Sequence, residues 1–215
     1  MSLPEQPILP ERVGGALVLD FVNTRDAWLD DAYRHEYLRD YDDLVAWAVA
    51  AGALDARAAD ALRRIAPAAA AETYERAVAL RGALFELFSP LAVTHDAAEV
   101  DSGGRAAAPP RAALDAVNAA WRALETRPQI DPATLATTWT DAPDRPLGPV
   151  LESAARLLRD GPLDRLRQCP GPDGWCGWLF IDRTKNRSRR WCSMAICGTP
   201  AKTRARAARR RAAGR

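Results

Sequence analysis

The first 168 of the 215 residues contain no cysteine. That excludes disulfides and thiolate metal sites from most of the chain, which must cohere through apolar burial. Histidine is nearly as scarce: there are two, His35 and His95, far apart and outside any HExxH pattern. Nothing approaches the roughly 18 consecutive apolar residues of a membrane span, so no membrane partner is expected. The opening stretch MSLPEQPILPERVGG lacks the basic start and apolar run of a secretory signal, and a reducing, cytoplasmic location is expected. Walker-type glycine loops, GxSxG and the dinucleotide fingerprint are all missing. The neighbouring carboxylates Asp30-Asp31 and Asp42-Asp43 would point different ways on a helix. No residue is nominated for catalysis, and the chain is not expected to be an enzyme.

What is present is concentrated at the end. All four cysteines, Cys169, Cys176, Cys192 and Cys197, fall within 29 positions, spaced C-x6-C, a gap of 15 residues, then C-x4-C. Two cysteine pairs flanking a short segment suit one tetrahedral Zn²⁺ held by four thiolates, a closed structural site with no open position for catalysis. Two disulfides or buried free thiols are the alternatives, and a reducing compartment disfavours the first. A module this small buries too little apolar surface to stand unaided, so binding the ion is expected to be part of folding, at on the order of 10–16 kcal/mol. Trp178–Ile181 reads as a strand, Asp182–Ser188 as a polar turn and Arg190–Cys192 as the returning strand of a β-hairpin.

Charge divides the same way. Residues 162–215 carry 14 Lys/Arg against 3 Asp/Glu, whereas residues 1–161 carry 16 against 25. An acidic body with a basic tail is the asymmetry of a nucleic-acid binder. The candidate phosphate contacts are Arg183, Lys185, Arg187, Arg189 and Arg190 on the hairpin. Lys202, Arg204, Arg206, Arg209, Arg210 and Arg211 follow on a tail of strong helix formers, with Lys202, Arg206 and Arg210 on one stripe. Trp175 and Trp178 are candidates for stacking on unpaired bases, although Trp178 also suits packing under the metal.

The string CGWLFIDRTKNRSRRWCSMAICG (residues 176–198) resembles the CGNR zinc finger, which closes bacterial proteins that open with an ABATE domain. Two features depart from that pattern. The spacer Pro170–Trp175 is longer than usual. The motif that should end CGNR reads Cys197-Gly198-Thr199-Pro200. Thr followed by Pro is itself a good helix start, so the tail helix is expected to begin there and zinc binding to survive. The resemblance implies DNA-linked, stress-related regulation and a ligand pocket in the preceding domain.

That preceding body reads as helical, and 48% apolar composition is enough for a sizeable core. The segment VGGALVLDFVNT (13–24) mixes helix and strand periodicity; similar LDFVNT segments open ABATE domains, and on that resemblance it is taken as helix. Helices are expected over 36–52, from about Asp55, over 71–90, 111–126 and 147–160. Leu114, Val117, Trp121 and Leu124 should line the inner face of the fourth. Residues 92–110 form a loop carrying His95, and 128–140 hint at a hairpin with Leu135 and Trp139. The ALRGALFELF stretch (79–88) also resembles the family. Asp20, Asn23 and Arg81 are the polar residues in apolar surroundings. They are candidates for the polar end of a small-ligand site; for Asp20 and Asn23 the alternative is local hydrogen bonds, and Arg81 is expected to snorkel to solvent, or else to pair with Asp20 or an acidic ligand.

The expected architecture is mainly α. A helical body over 1–161 with a possible small β-hairpin precedes a four-cysteine zinc module over 162–215 with a β-hairpin and C-terminal helix. The expected function is DNA-binding regulation, with duplex DNA as partner. The alternative is a zinc-stabilised interaction module that binds RNA or an acidic protein without catalysis. Nothing in the pattern specifies an oligomer.

Overall fold

The structure, a computed structural model, describes residues 9–92 and 108–213; His95 lies outside them. Seven α-helices carry the architecture. They are α1 (Leu17–Val22), α2 (Tyr41–Ala50), α3 (Ala56–Leu62), α4 (Pro67–Phe88), α5 (Arg111–Ala123), α6 (Leu147–Asp160) and α7 (Thr199–Ala213). The starts follow local chemistry: the Asp40 and Asp55 carboxylates accept the Asp43 and Ala58 N–H groups at the heads of α2 and α3, and Pro67 opens α4.

The shortest helix is the centre. In α1, Val18, Leu19, Phe21 and Val22 are all fully buried, packed against α4, α6 and a strand of the C-terminal region. A helix surrounded on every side needs no polar face, which is why its sequence showed no clear period. The expected spans of α5 and α6 hold to within a few residues, while α2 starts later, at Tyr41 after the Asp40 cap, and α4 earlier, at Pro67. One expected core residue turns outward instead: Trp121 on α5 is 40% exposed. Ala113 and Val117 form the buried stripe of α5, so an interface of small side chains, not the bulky ones, faces α4.

Residues 128–140 do form a hairpin, with β1 (Pro128–Ile130) antiparallel to β2 (Thr137–Trp139). Trp139 closes over α6 at Gly148, where a methyl group would collide with the indole.

The second hairpin differs from the expected one. The strand β4 (Leu179–Ile181) pairs with β3 (Leu166–Gln168), in the register Leu166↔Ile181 and Gln168↔Leu179. Its partner is therefore the segment just before Cys169, and Arg190–Cys192 is no strand. The buried Asp182 carboxylate explains the difference. It accepts from the Thr184 N–H, the Thr184 hydroxyl and the Arg189 N–H, so the returning chain's donors are taken by a side chain, not by β4. Leu166, Leu179 and Ile181 belong to the same apolar core as the helices.

Candidate metal centre and nucleic-acid interface

β3 delivers Cys169 directly. Its N–H donates to the Trp178 carbonyl and the Gly177 N–H donates back to the Cys169 carbonyl, so the ladder runs on into the first cysteine pair. The spacer between the pair folds back at Gly171, whose φ of +69° and contact with the Cys176 backbone leave no room for a side chain. The second pair spans a wide π-type turn, Met194–Gly198, that runs straight into α7. Ser193 caps that turn, and α7 begins at Thr199 as expected, continuing directly from the turn. Pro200, which has no N–H to donate, is accommodated because the wide turn precedes it.

The four thiols are buried, and their sulfurs lie within 4.8 Å of one another. Cys176 and Cys192 are 3.7 Å apart at sulfur, as are Cys192 and Cys197. A regular tetrahedron of Zn–S bonds has sulfur–sulfur edges of about 3.8 Å, so the donor set has the size of one zinc ion. The electrostatics agree. Hydrogen bonds from Cys176, Cys192 and Cys197 pull the Cys169 thiol far down, while the contact with Cys169 pushes Cys176 and Cys192 up. One thiolate is favoured and further ones repel; a divalent cation is what lets all four ionise together. Trp178, Phe180, Trp175, Trp191, Tyr37 and Trp28 pack around the sulfurs.

The body reaches into this centre. The Trp28 and Leu29 N–H groups donate to the Cys176 and Trp175 carbonyls, and the Trp178 indole N–H donates to the Arg25 carbonyl at 2.9 Å. Asn23 sits at the seam. Its amide donates to the Leu179 carbonyl and accepts from the Leu179 N–H, both at 2.9 Å, so one side chain replaces a missing strand beside β4. Arg81 is buried and forked onto Glu36, with a 2.6 Å bond to one carboxylate oxygen, and it also donates to Thr24. Asp20 accepts from the Gly14 N–H at 2.8 Å, and burial raises its pKa. Each of the three ligand candidates thus bonds to groups of the protein itself, although the buried Arg81 Nε has no hydrogen-bond partner among the described residues. Arg81 pairs with Glu36, not Asp20. A buried guanidinium takes the nearest carboxylate the fold supplies, and no sequence signal pointed to position 36.

The basic candidates separate into two groups. Arg190, Lys202, Arg206 and Arg209 line a groove of about 940 Å³ between the 184–194 loop and α7, together with Trp191 and Met194. The groove-facing stripe of α7 is Lys202, Arg206 and Arg209, one helical position away from the stripe expected through Arg210. Arg189 also borders the groove, and the remaining candidates point elsewhere. Arg189 turns inward, its guanidinium on the Trp191, Cys192 and Val13 carbonyls and over the Phe180 ring at 4.3 Å. Arg183 donates to the Gly15 carbonyl, Arg187 pairs with Asp164 and Arg204 with Asp173. Lys185, Arg210 and Arg211 are exposed outside the groove. Trp178 is buried beneath the metal centre, and the tryptophan at the groove is Trp191, which sequence reasoning passed over. Its position between Arg190 and Cys192 was the available signal.

Among the described residues, no helix is long and apolar enough to cross a membrane. Residues 15–161 match the ABATE family model, whose description is "Putative stress-induced transcription regulator", and residues 165–210 match the CGNR zinc finger model. No curated protein matches the chain.

Proposed function

Since the chain belongs to the ABATE family and closes in a CGNR zinc finger, we propose that it is a cytoplasmic DNA-binding regulator whose C-terminal module grips phosphates. One structural Zn²⁺ held by Cys169, Cys176, Cys192 and Cys197 shapes that module. The chain divides in function near Gly161-Pro162, with the helical part acting as a scaffold that docks the finger through Asn23, Trp28 and Trp178. Both matched families are of regulator and zinc-finger type, with no reaction attached. The single observation that carries the proposal is the groove: Arg190, Lys202, Arg206 and Arg209 line one concavity, with Arg189 beside them held on the module's own carbonyls. Asp20, Asn23 and Arg81 lend no support to a small ligand in the body.

Four phosphate contacts give a definite salt law. Affinity for duplex DNA should fall about 150-fold between 50 and 200 mM salt, from a slope of about 0.9 per contact. A gel-shift or anisotropy series checks this, and the Arg206→Ala/Arg209→Ala double variant should lower the slope by about 1.8. Tight binding indifferent to salt would overturn the proposal.

A further inference from the structure

We infer that the groove takes an unpaired polynucleotide strand, with a base laid against the Arg190–Trp191 stack and its phosphates on α7. This rests on the nucleic-acid reading above and specifies the form of nucleic acid bound at that same site.

The cations face inward. Arg190 on one wall opposes Lys202, Arg206 and Arg209 on the other, across about 940 Å³. Readers of duplex DNA offer a convex helix to a major groove about 12 Å wide. A channel with cations on both walls instead encloses a single phosphodiester chain. The three α7 cations span seven residues, about 10 Å of helix, enough to follow a strand along its length.

The floor is apolar. Met194 is 49% exposed and lies against Gly198 beside Trp191. A purely electrostatic phosphate site gains nothing from exposing a thioether and an indole to water, whereas the face of a base covers both. The Arg190 guanidinium lies 5.0 Å from the Trp191 ring centroid. It lies over the face of the indole, and bases stack on aromatic and on guanidinium planes alike. Gly198, the last residue of the motif before its departure from the family pattern, is what lets Met194 and Trp191 close together: a methyl there would meet the Met194 sulfur at 2.5 Å.

Fluorescence anisotropy on the zinc-loaded full chain tests this with three probes: oligothymidylate, oligouridylate and a duplex of equal length. The single strands should bind more tightly than the duplex at equal salt, and comparing the first two tells DNA from RNA. Trp191→Ala should weaken single-strand binding about 5- to 150-fold and Trp191→Phe much less, with duplex binding changed little by either. Zinc content and circular dichroism check that the variants fold. If Trp191→Ala loses its metal, Met194→Asp at the exposed floor replaces it, with the same loss expected. Duplex binding stronger than single-strand binding, or zinc-loaded variants that leave single-strand affinity unchanged, would overturn the inference while leaving the regulator proposal standing. Failure of all three probes at low salt would sink both.

Discussion

The helical body and the cysteine module are held together by different physics. Around α1 the body buries a continuous set of aliphatic and aromatic side chains on α2 to α6, a non-directional contribution shared among many contacts. The module's inner cluster is four cysteines with Trp178 and Phe180, and its cohesion rests on a few directional bonds to sulfur. Loss of one side chain in the body is distributed; loss of one sulfur in the module is not. The seam between them is neither kind. It is made of polar groups that bond across the boundary: Asn23 on Leu179, the Trp28 N–H on Cys176, the Trp178 indole on Arg25 and the Gln168 amide on the Ser89 hydroxyl.

The largest expected effect is on the metal. Cys192→Ser or chelation should unfold residues 169–198, a loss on the order of 10–16 kcal/mol for such sites, while most helical dichroism survives. Zinc content and limited proteolysis check this; one cooperative collapse of the whole chain would break the contrast between the two regions. Next comes the buried charge of the body. Arg81→Met should cost about 3–5 kcal/mol by stranding Glu36. The Arg81→Met/Glu36→Gln double variant should be closer to the parent in thermal melts, because no unpaired charge remains. Asn23→Ala leaves the Leu179 N–H and carbonyl without their partner and should cost about 1–3 kcal/mol, read as faster proteolysis of the module before any change in the helices.

The smallest effect separates the regions by pH. Protons compete with zinc for thiolates, so the module should loosen first on acidification. In the body, burial alone would raise the Asp43 carboxyl, but hydrogen bonds from Arg39 outweigh it and hold its pKa below the usual 3.8. Its stabilisation is therefore present above that value and lost only as pH falls through the lowered one. A helical signal that decays together with zinc release would contradict this order.

How much was legible depended on where each signal lives. The metal ligands were readable because four rare residues clustered in an otherwise cysteine-free chain. α6 was readable because its face against the core and its face to water alternate within one helix. α1 escaped the periodicity test because it has no face to water. β3 escaped because LDRLRQ is mostly polar, and its pairing depends on Leu179–Ile181 further along the chain. Arg189 and Arg190 are adjacent cations of equal appearance that both border the groove, and the anchoring of Arg189 on the Val13, Trp191 and Cys192 carbonyls could not be read from either.

Local chemistry thus determined that the tail is basic, that its sulfurs come in two pairs and that the body is helical, since spacing, propensity and charge act over a few residues. Which strand pairs with β4, which carboxylate meets Arg81 and which cations converge around Trp191 were decided only in three dimensions. Burial and hydrogen bonding between residues distant in the chain choose among partners that look equivalent in one.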